Sequence, residues 1–297
     1  MPYTGGCLMI QVAVVSGKGG TGKTVVTGAI AALLSGKVVM ADCDVDAANL
    51  ALLMQPEAME SELFTGMDRA FIDPKQCIQC EICVHNCRFN AISVTDSGVL
   101  VNAVKCEGCG VCGYVCPSDA VKMVTHVCGE IRSAHTRFGP FIDGALYPGS
   151  GNSGLMVHKI RKKAREINPD TPVVLIDGPP GIGCPLISAI TGCDFVILVT
   201  EPGLSGRHDL QRLVTVCRSL RCRMMMIINR SDLVPDGTVL LRTFAKECDI
   251  PVICEIPNDP LVMKATRNRE PFTLNDGPAN EKIRTAVEYL LQKLQVS

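Results

Sequence analysis

Short apolar, β-branched runs alternate along most of the chain with longer stretches of helical period. Residues 11–16 (QVAVVS) read as a buried strand, followed by a glycine-rich turn. Residues 24–34 (TVVTGAIAALL) read as a helix ended by Ser35-Gly36, and residues 37–41 (KVVMA) as a second strand that stops at Asp42. Strand, helix, strand opens a βαβ series and predicts a mostly parallel sheet flanked by helices. The series resumes with strands at 173–176, 195–200, 224–228 and 252–256, and helices at 157–167, 209–219, 239–246 and 281–294. In the last helix Ile283, Val287, Leu290, Leu291 and Leu294 recur at helical spacing.

The pattern breaks between about Phe71 and Val124, where no long apolar segment occurs and cysteines come every three or four residues within two runs. This texture predicts a small module held by metal rather than by a core. Residues 128–153 are glycine-rich and read as an irregular return connection. The expected organisation is therefore one α/β domain in two parts, 1–70 and 126–297, with an insert at 71–125. Cys77, Cys80, Cys83 and Cys87 recur 29 residues on as Cys106, Cys109, Cys112 and Cys116, and Ala91-Ile92 as Ala120-Val121, so the insert is a duplicated half-domain.

Composition narrows the class. The 297 residues are 47% hydrophobic and 20% charged, enough for a sizeable core. A net charge of -1 provides no global field for nucleic acid or an anionic membrane, and the basic face of 157–167 reads as a solvated helix surface. No apolar run reaches the roughly 20 residues that span a bilayer, and the N-terminal residues lack a basic and an apolar region of the export type. Of 17 cysteines, eight lie in the two compact runs, which points to metal and a reducing compartment rather than to disulfides. A cytoplasmic protein is expected.

Gly17-Lys18-Gly19-Gly20-Thr21-Gly22-Lys23-Thr24 fits G-x-x-x-x-G-K-[ST] between a predicted strand and helix. Such a loop turns its N–H groups around a β-phosphate, and the helix N-terminus adds its dipole. Lys23 is then expected on the β/γ-phosphates and the Thr24 hydroxyl on Mg²⁺. Val173-Val-Leu-Ile-Asp177 is an apolar strand ending in a carboxylate, with Gly178-Pro-Pro-Gly181 beyond it. Asp177 is expected to hold the Mg²⁺ hydration shell through water, and the Gly181 N–H to sense the γ-phosphate.

C-x₂-C-x₂-C-x₃-C occurs twice, the bacterial ferredoxin run in which each fourth cysteine ligates the other cluster. One [4Fe-4S] cluster would use Cys77, Cys80, Cys83 and Cys116, the other Cys106, Cys109, Cys112 and Cys87. Zinc is the alternative metal, but it takes four ligands in two pairs rather than two runs of four. The second run ends Cys116-Pro117, the first Cys87-Arg88.

The early lysine of KGGTGK, followed by the cysteine runs and then by DGPPGIGC, resembles the MinD/ParA/Mrp superfamily of P-loop ATPases with a deviant Walker A motif, in the form that carries an inserted 2[4Fe-4S] ferredoxin domain. The resemblance covers nearly the whole chain. It implies a P-loop NTPase fold with a small α+β ferredoxin insert, Mg-dependent ATP hydrolysis, and an ATP-dependent homodimer or a heterodimer with a paralogue. By the same resemblance Lys18 reaches the partner subunit's nucleotide, and Asp44, in Asp42-Cys43-Asp44, orients the attacking water. Asn229 resembles the adenine-recognising asparagine, and Pro257-Asn258-Asp259 the loop on the other side of the base. Cys184, seven residues after Asp177, stands at an offset similar to the bridging cysteine of the nitrogenase iron protein, with Cys128 as a candidate second ligand. The C-x-x-C of Mrp-type carriers is replaced by Cys217-x₄-Cys222.

Three functions follow from this combination. Nucleotide-driven dimer closure gates electron transfer through the two clusters to a redox partner; or a cluster is passed on to an apo-protein; or the chain is a MinD/ParA-type positional switch with structural or sensory clusters.

Overall fold

The computed structural model describes residues 9–294. Strand β1 (Ile10–Ser16) leads to helix α1 (Lys23–Leu33), β2 (Val38–Asp42), α2 (Leu50–Met54) and β3 (Glu57–Thr65). Then come β4 (Arg69–Ile72), α3 (Ile82–Asn86), β5 (Ile92–Thr95), β6 (Gly98–Val101), α4 (Val111–Tyr114) and β7 (Val121–Val124). The chain continues through β8 (Val127–Thr136), β9 (Gly139–Leu146), α5 (Ser153–Glu166), β10 (Val173–Pro180), α6 (Cys184–Ile190) and β11 (Phe195–Thr200). It ends with α7 (Leu204–Ser219), β12 (Met224–Asn229), α8 (Pro235–Glu247), β13 (Val252–Ile256), α9 (Pro260–Arg267), a short 3₁₀ turn and α10 (Pro278–Leu294).

Two compact units result. One comprises residues 1–61, 131–145 and 153–297, the other 62–130 and 146–152. Strands β3 and β8 each divide between them. The nine-stranded sheet has the order β13-β12-β11-β1-β10-β2-β9-β8-β3, and its pairs from β13 to β9 are parallel. Both faces of the central strands are buried, as a parallel sheet covered by helices requires: Val12 to Val15 and Val173 to Ile176 are wholly inaccessible. The apolar stripe of α10 (Ile283, Val287, Leu290, Leu294) joins α1 and the strands in one core. Among the described residues no helix is long and apolar enough to cross a membrane.

Register positions the chemistry. Val14 of β1 lies opposite Asp177 of β10, and Asp177 opposite Asp42 of β2, so the carboxylate that ends β2 and the one within β10 lie at one level beside the glycine loop.

One expectation is overturned. Residues 128–153 are not an irregular connection: they hold β8, β9 and the start of α5. Gly129, Ser133, Ala134 and Gly144 stand there in place of bulky β-branched residues. Gly144 faces Met156 and Ile160 so closely that a Cβ would stand 2.8 Å from both. Close helix packing, not turn formation, explains that glycine.

In the second unit β4 pairs antiparallel with β7, and β5 with β6. The duplication is preserved in the backbone. The Asp73 N–H donates to the Ala120 carbonyl at 2.8 Å, and 29 residues on Asn102 N–H donates to Ala91 at 2.7 Å. Left-handed residues also recur in register: Gln79 with Gly108, Glu81 with Gly110, Asn90 with Asp119. The core is small, formed by Ala70, Ile72, Cys83, Ile92, Val99, Ala120 and Val121, with five more cysteines packed against it.

Candidate functional site

The loop of residues 17–22 joins the end of β1 to α1, whose first turn carries Lys23 and Thr24. Gly22 caps the helix in the left-handed region (φ 87°), and a Cβ there would collide with the Asn229 side-chain amide. Gly20 is also left-handed, at φ 83°. The Ser16 hydroxyl donates to the Lys18 carbonyl at 2.8 Å. The Thr21 hydroxyl is buried without a hydrogen-bond partner, inside a loop that otherwise presents backbone donors.

Lys23, Asp177, Asp44 and Asp42 form one electrostatic group. The Lys23 ammonium lies 2.9 Å from Asp177 Oδ1, 3.7 Å from Asp44 Oδ2 and 3.3 Å from the Thr24 hydroxyl oxygen. Asp177 is wholly buried and accepts from the hydroxyls of Thr24 and Thr27, each at 2.8 Å. Burial works to lower the Lys23 pKa, but Asp177, then Asp44 and Asp42, hold it above its ordinary value. Asp42 accepts from the N–H of Asp44 at 3.1 Å and of Leu50 at 3.0 Å, tying down the loop after β2. Its carboxyl is pushed well above the usual range, first by burial and then by the Asp177 charge. Asp44 is raised too, by burial first, with Lys23 opposing. Three carboxylates and two hydroxyls make an all-oxygen donor set of the kind Mg²⁺ takes, beside the Lys23 ammonium, which is able to follow a phosphate.

Asn229 ends β12 and donates to the Thr21 carbonyl at 2.8 Å. Together with Gly22, Val25, Pro257, Asn258, Val262 and Met263 it lines a cavity of about 160 Å³. The Asn258 N–H is held by Asp232 at 2.6 Å, and Asp259 caps α9 through the Leu261 N–H at 2.9 Å. The fold thus brings the sequence-predicted asparagine and loop 257–259 to the same slot, next to the glycine loop.

Two predicted groups point elsewhere. Lys18 pairs with Glu201 at 3.0 Å, and Glu201 also holds Arg230 at 3.1 Å. The Gly181 N–H donates to the Ser16 carbonyl at 3.1 Å. Sequence reasoning missed Thr27, although its position one helical turn beyond Lys23 was the available signal. It also missed Glu201 and Arg230, which no motif marks.

The eight cysteines divide crosswise. Cys77, Cys80, Cys83 and Cys116 line one cavity, and Cys87, Cys106, Cys109 and Cys112 another. The N–H groups of Ala91 and Ala120 donate to Cys87 and Cys116 Sγ, both at 3.3 Å. Against the effect of desolvation, bonds from the Ser118 hydroxyl and from the backbone hold Cys116 below the ordinary thiol value. Among the described residues no three His, Cys, Asp or Glu side chains gather closely enough for a single metal ion. A tetrahedral zinc site needs its sulfurs within about 2.3 Å of one atom, whereas a cubane carries each cysteine on a separate iron. Cys184 is exposed at the start of α6, whereas Cys128 is wholly buried beside the His126 carbonyl and the Asn152 amide.

A parallel sheet with a glycine loop and lysine after its first strand, and carboxylates from β2 and β10 at one level beside them, defines an α/β P-loop nucleotide-binding protein. A family model described as the CobQ/CobB/MinD/ParA nucleotide binding domain matches residues 12–272, and the chain belongs to that family. An uncharacterised protein of Methanocaldococcus jannaschii, MJ0578, is 32% identical over 233 residues, 77% of this chain and 80% of its own length. An uncharacterised ATP-binding protein of the same organism, MJ0547, is 26% identical over 284 residues, covering 93% and 85%. Among solved structures, the septum site-determining protein MinD from Pyrococcus horikoshii, complexed with Mg-ADP, superposes with a TM-score of 0.58 at 18% identity, covering 95% of this chain and 96% of its own.

Proposed function

We propose that the chain is an ATP-binding and hydrolysing iron–sulfur protein in which nucleotide-driven dimer closure gates electron transfer through two [4Fe-4S] clusters. One observation carries the reading. A single chain combines the Lys23–Asp177–Asp44 group with two cysteine-lined cavities, each lined by three cysteines of one run and the fourth of the other.

The nucleotide chemistry follows from the side chains. The base lies in the slot between Asn229 and Pro257-Asn258, and the loop of Gly17, Gly19, Gly20, Thr21 and Gly22 takes the phosphates. Lys23 leaves Asp177 for the β/γ-phosphates; Thr24 would hold Mg²⁺ and Asp177 its waters, and the ion would supply counter-charge to the phosphates. Asp44, raised by burial, is a stronger base than an ordinary carboxylate and is placed to orient water. The Gly181 N–H must release the Ser16 carbonyl to reach the γ-phosphate, and Lys18 must leave Glu201 to reach the partner's nucleotide. These two exchanges couple phosphate occupancy to the dimer surface.

The segment 71–125 is then a ferredoxin domain, inserted between the parts 1–70 and 126–297. Its clusters supply one-electron transfer when bound. The strained backbone fits that role. Gln79 and Glu81 hold left-handed conformations that cost about 1–2 kcal/mol each for a residue with a Cβ, and they flank Cys80 as Gly108 and Gly110 flank Cys109. Such strain persists at ligand clamps, where surrounding bonds over-determine it.

The test is the rate at which dithionite-reduced protein reduces benzyl viologen with Mg-ATP, with Mg-ADP and without nucleotide. A rate specific to the ATP state is expected; equal rates in all three sink the electron-gating reading. Relatives named as MinD favour a second reading, a positional switch with sensory clusters. It predicts ATP-dependent dimers with unchanged electron-transfer rates.

A further inference from the structure

Helix α7 ends in a backbone pattern that joins two cysteines far from the nucleotide loops. Cys222 N–H donates to the Cys217 carbonyl at 2.9 Å, and Arg221 N–H to Arg218 at 3.0 Å, with Arg221 left-handed at φ 57°. This is a Schellman cap, in which the third residue from the helix end meets the second residue beyond it, usually as an apolar contact. Here both positions are cysteine, which accounts for the C-x₄-C spacing. The backbone bond holds the two residues side by side, and a disulfide needs Cα atoms roughly 4.4–6.8 Å apart.

We propose that Cys217 and Cys222 form a redox-active dithiol that exchanges with small-molecule disulfides, Cys222 attacking and Cys217 resolving. Cys217 is wholly buried and Cys222 half-buried, so a reagent meets Cys222 first. Each thiol is the leading influence on the other. Cys222 is held below the ordinary thiol value by Cys217, despite desolvation, while Cys222 and then burial push Cys217 upward. The accessible sulfur therefore gives up its proton more readily than the buried one.

A third thiol, Cys193, stands near Cys222 at the end of α6. It donates to the Ala189 carbonyl at 3.2 Å, lies 3.4 Å from the Arg161 guanidinium, and is pushed up to about 11, chiefly by burial. It is the poorer nucleophile. The pair precedes β12, and Asn229 ends that strand, so the dithiol stands at the opposite end of β12 from the base slot.

The exchange balances without another reactant. Cys222 thiolate attacks one sulfur of RS–SR, an S–S bond forms to Cys222, and RS⁻ leaves and is protonated by solvent. Cys217 then gives its proton to solvent and attacks Cys222 Sγ. The intramolecular disulfide forms as the second RS⁻ leaves. Two protein thiols are oxidised and one small disulfide is reduced to two thiols.

The experiment uses the full chain, purified without oxygen, incubated with oxidised glutathione and then alkylated. Trypsin cuts after Arg212, Arg218, Arg221 and Arg223, so the product is a linked pair of fragments 213–218 and 222–223. That pair is expected, and dithiothreitol should remove it. Cys217→Ser should stop at a glutathione adduct on Cys222, while Cys222→Ser should leave Cys217 unmodified; neither should change the iron content. Free, alkylated Cys217 and Cys222 in the wild type, or a Cys193–Cys222 link in place of the pair, would overturn the proposal.

Discussion

At the residue scale the molecule turns on one lysine among three carboxylates. Asp42 cannot ionise freely because burial and Asp177 oppose it, and Lys23 supplies the largest relief. A carboxyl whose folded pKa is raised costs stability as pH climbs above its ordinary value near 3.9, up to the raised value. Lys23→Ala removes the relief and raises Asp42 further. The variant should therefore lose about 3–5 kcal/mol near pH 8, the usual cost of breaking a buried pair, and less as pH falls and the raised carboxyls Asp42 and Asp44 bind protons. Urea midpoints of variant and wild type should converge as pH falls; a constant gap would contradict this charge balance. The same substitution should abolish the thermal stabilisation by Mg-ATP, which at 100 times Kd amounts to about 2.7 kcal/mol. Glu201 is a second lever. Its pairs with Lys18 and Arg230 are partly exposed, a class worth at most about 1 kcal/mol. Glu201→Ala should lower the ATP concentration that half-saturates dimerisation by about fivefold or less, read by sedimentation, and an unchanged midpoint would remove Glu201 as a restraint on Lys18.

At the element scale the parallel series was legible because its strands are continuous apolar runs and its loops carry motifs. Residues 195–200 and 252–256 form strands with the expected bounds, and β1, α1 and β2 differ from expectation by one residue at either end. Strands β8 and β9 were illegible because glycine, serine and alanine interrupt their apolar positions, and for Gly144 the reason lies in α5, distant in sequence. Strand β3 (EAMESELFT) carries charge on residues exposed at the sheet edge, so no apolar period announces it. The residues expected at the nucleotide are marked by type and fixed offset, whereas Thr27, Glu201 and Arg230 join them only through the fold. In the cysteine module the repeat itself carries a prediction. Glu81 occupies a left-handed position that its counterpart Gly110 occupies without a Cβ. Glu81→Gly should stabilise the module by about 1 kcal/mol and slow iron loss to a chelator. Faster loss would show that Glu81 is held by something other than backbone geometry.

For the whole molecule, the account rests on two chemistries in one chain: an oxygen-lined phosphate site on a parallel sheet, and two sulfur-lined cavities in a duplicated module. The crossed ligand sets make the cavities interdependent, since each run contributes to both. Cys116→Ala should therefore unsettle the cluster of the first run although it lies in the second, and the signal lost in EPR should match that lost in Cys80→Ala. Loss matching Cys109→Ala instead would mean uncrossed ligation. The most direct measurement is the joint stoichiometry of one anaerobic preparation of the full chain: iron, acid-labile sulfide, and Mg-ATP retained by equilibrium dialysis. About eight irons, about eight sulfides and about one nucleotide per chain are expected, since two [4Fe-4S] clusters and one P-loop fix those ratios. A colourless protein carrying zinc, or an iron-loaded one that retains no Mg-ATP, would contradict the account.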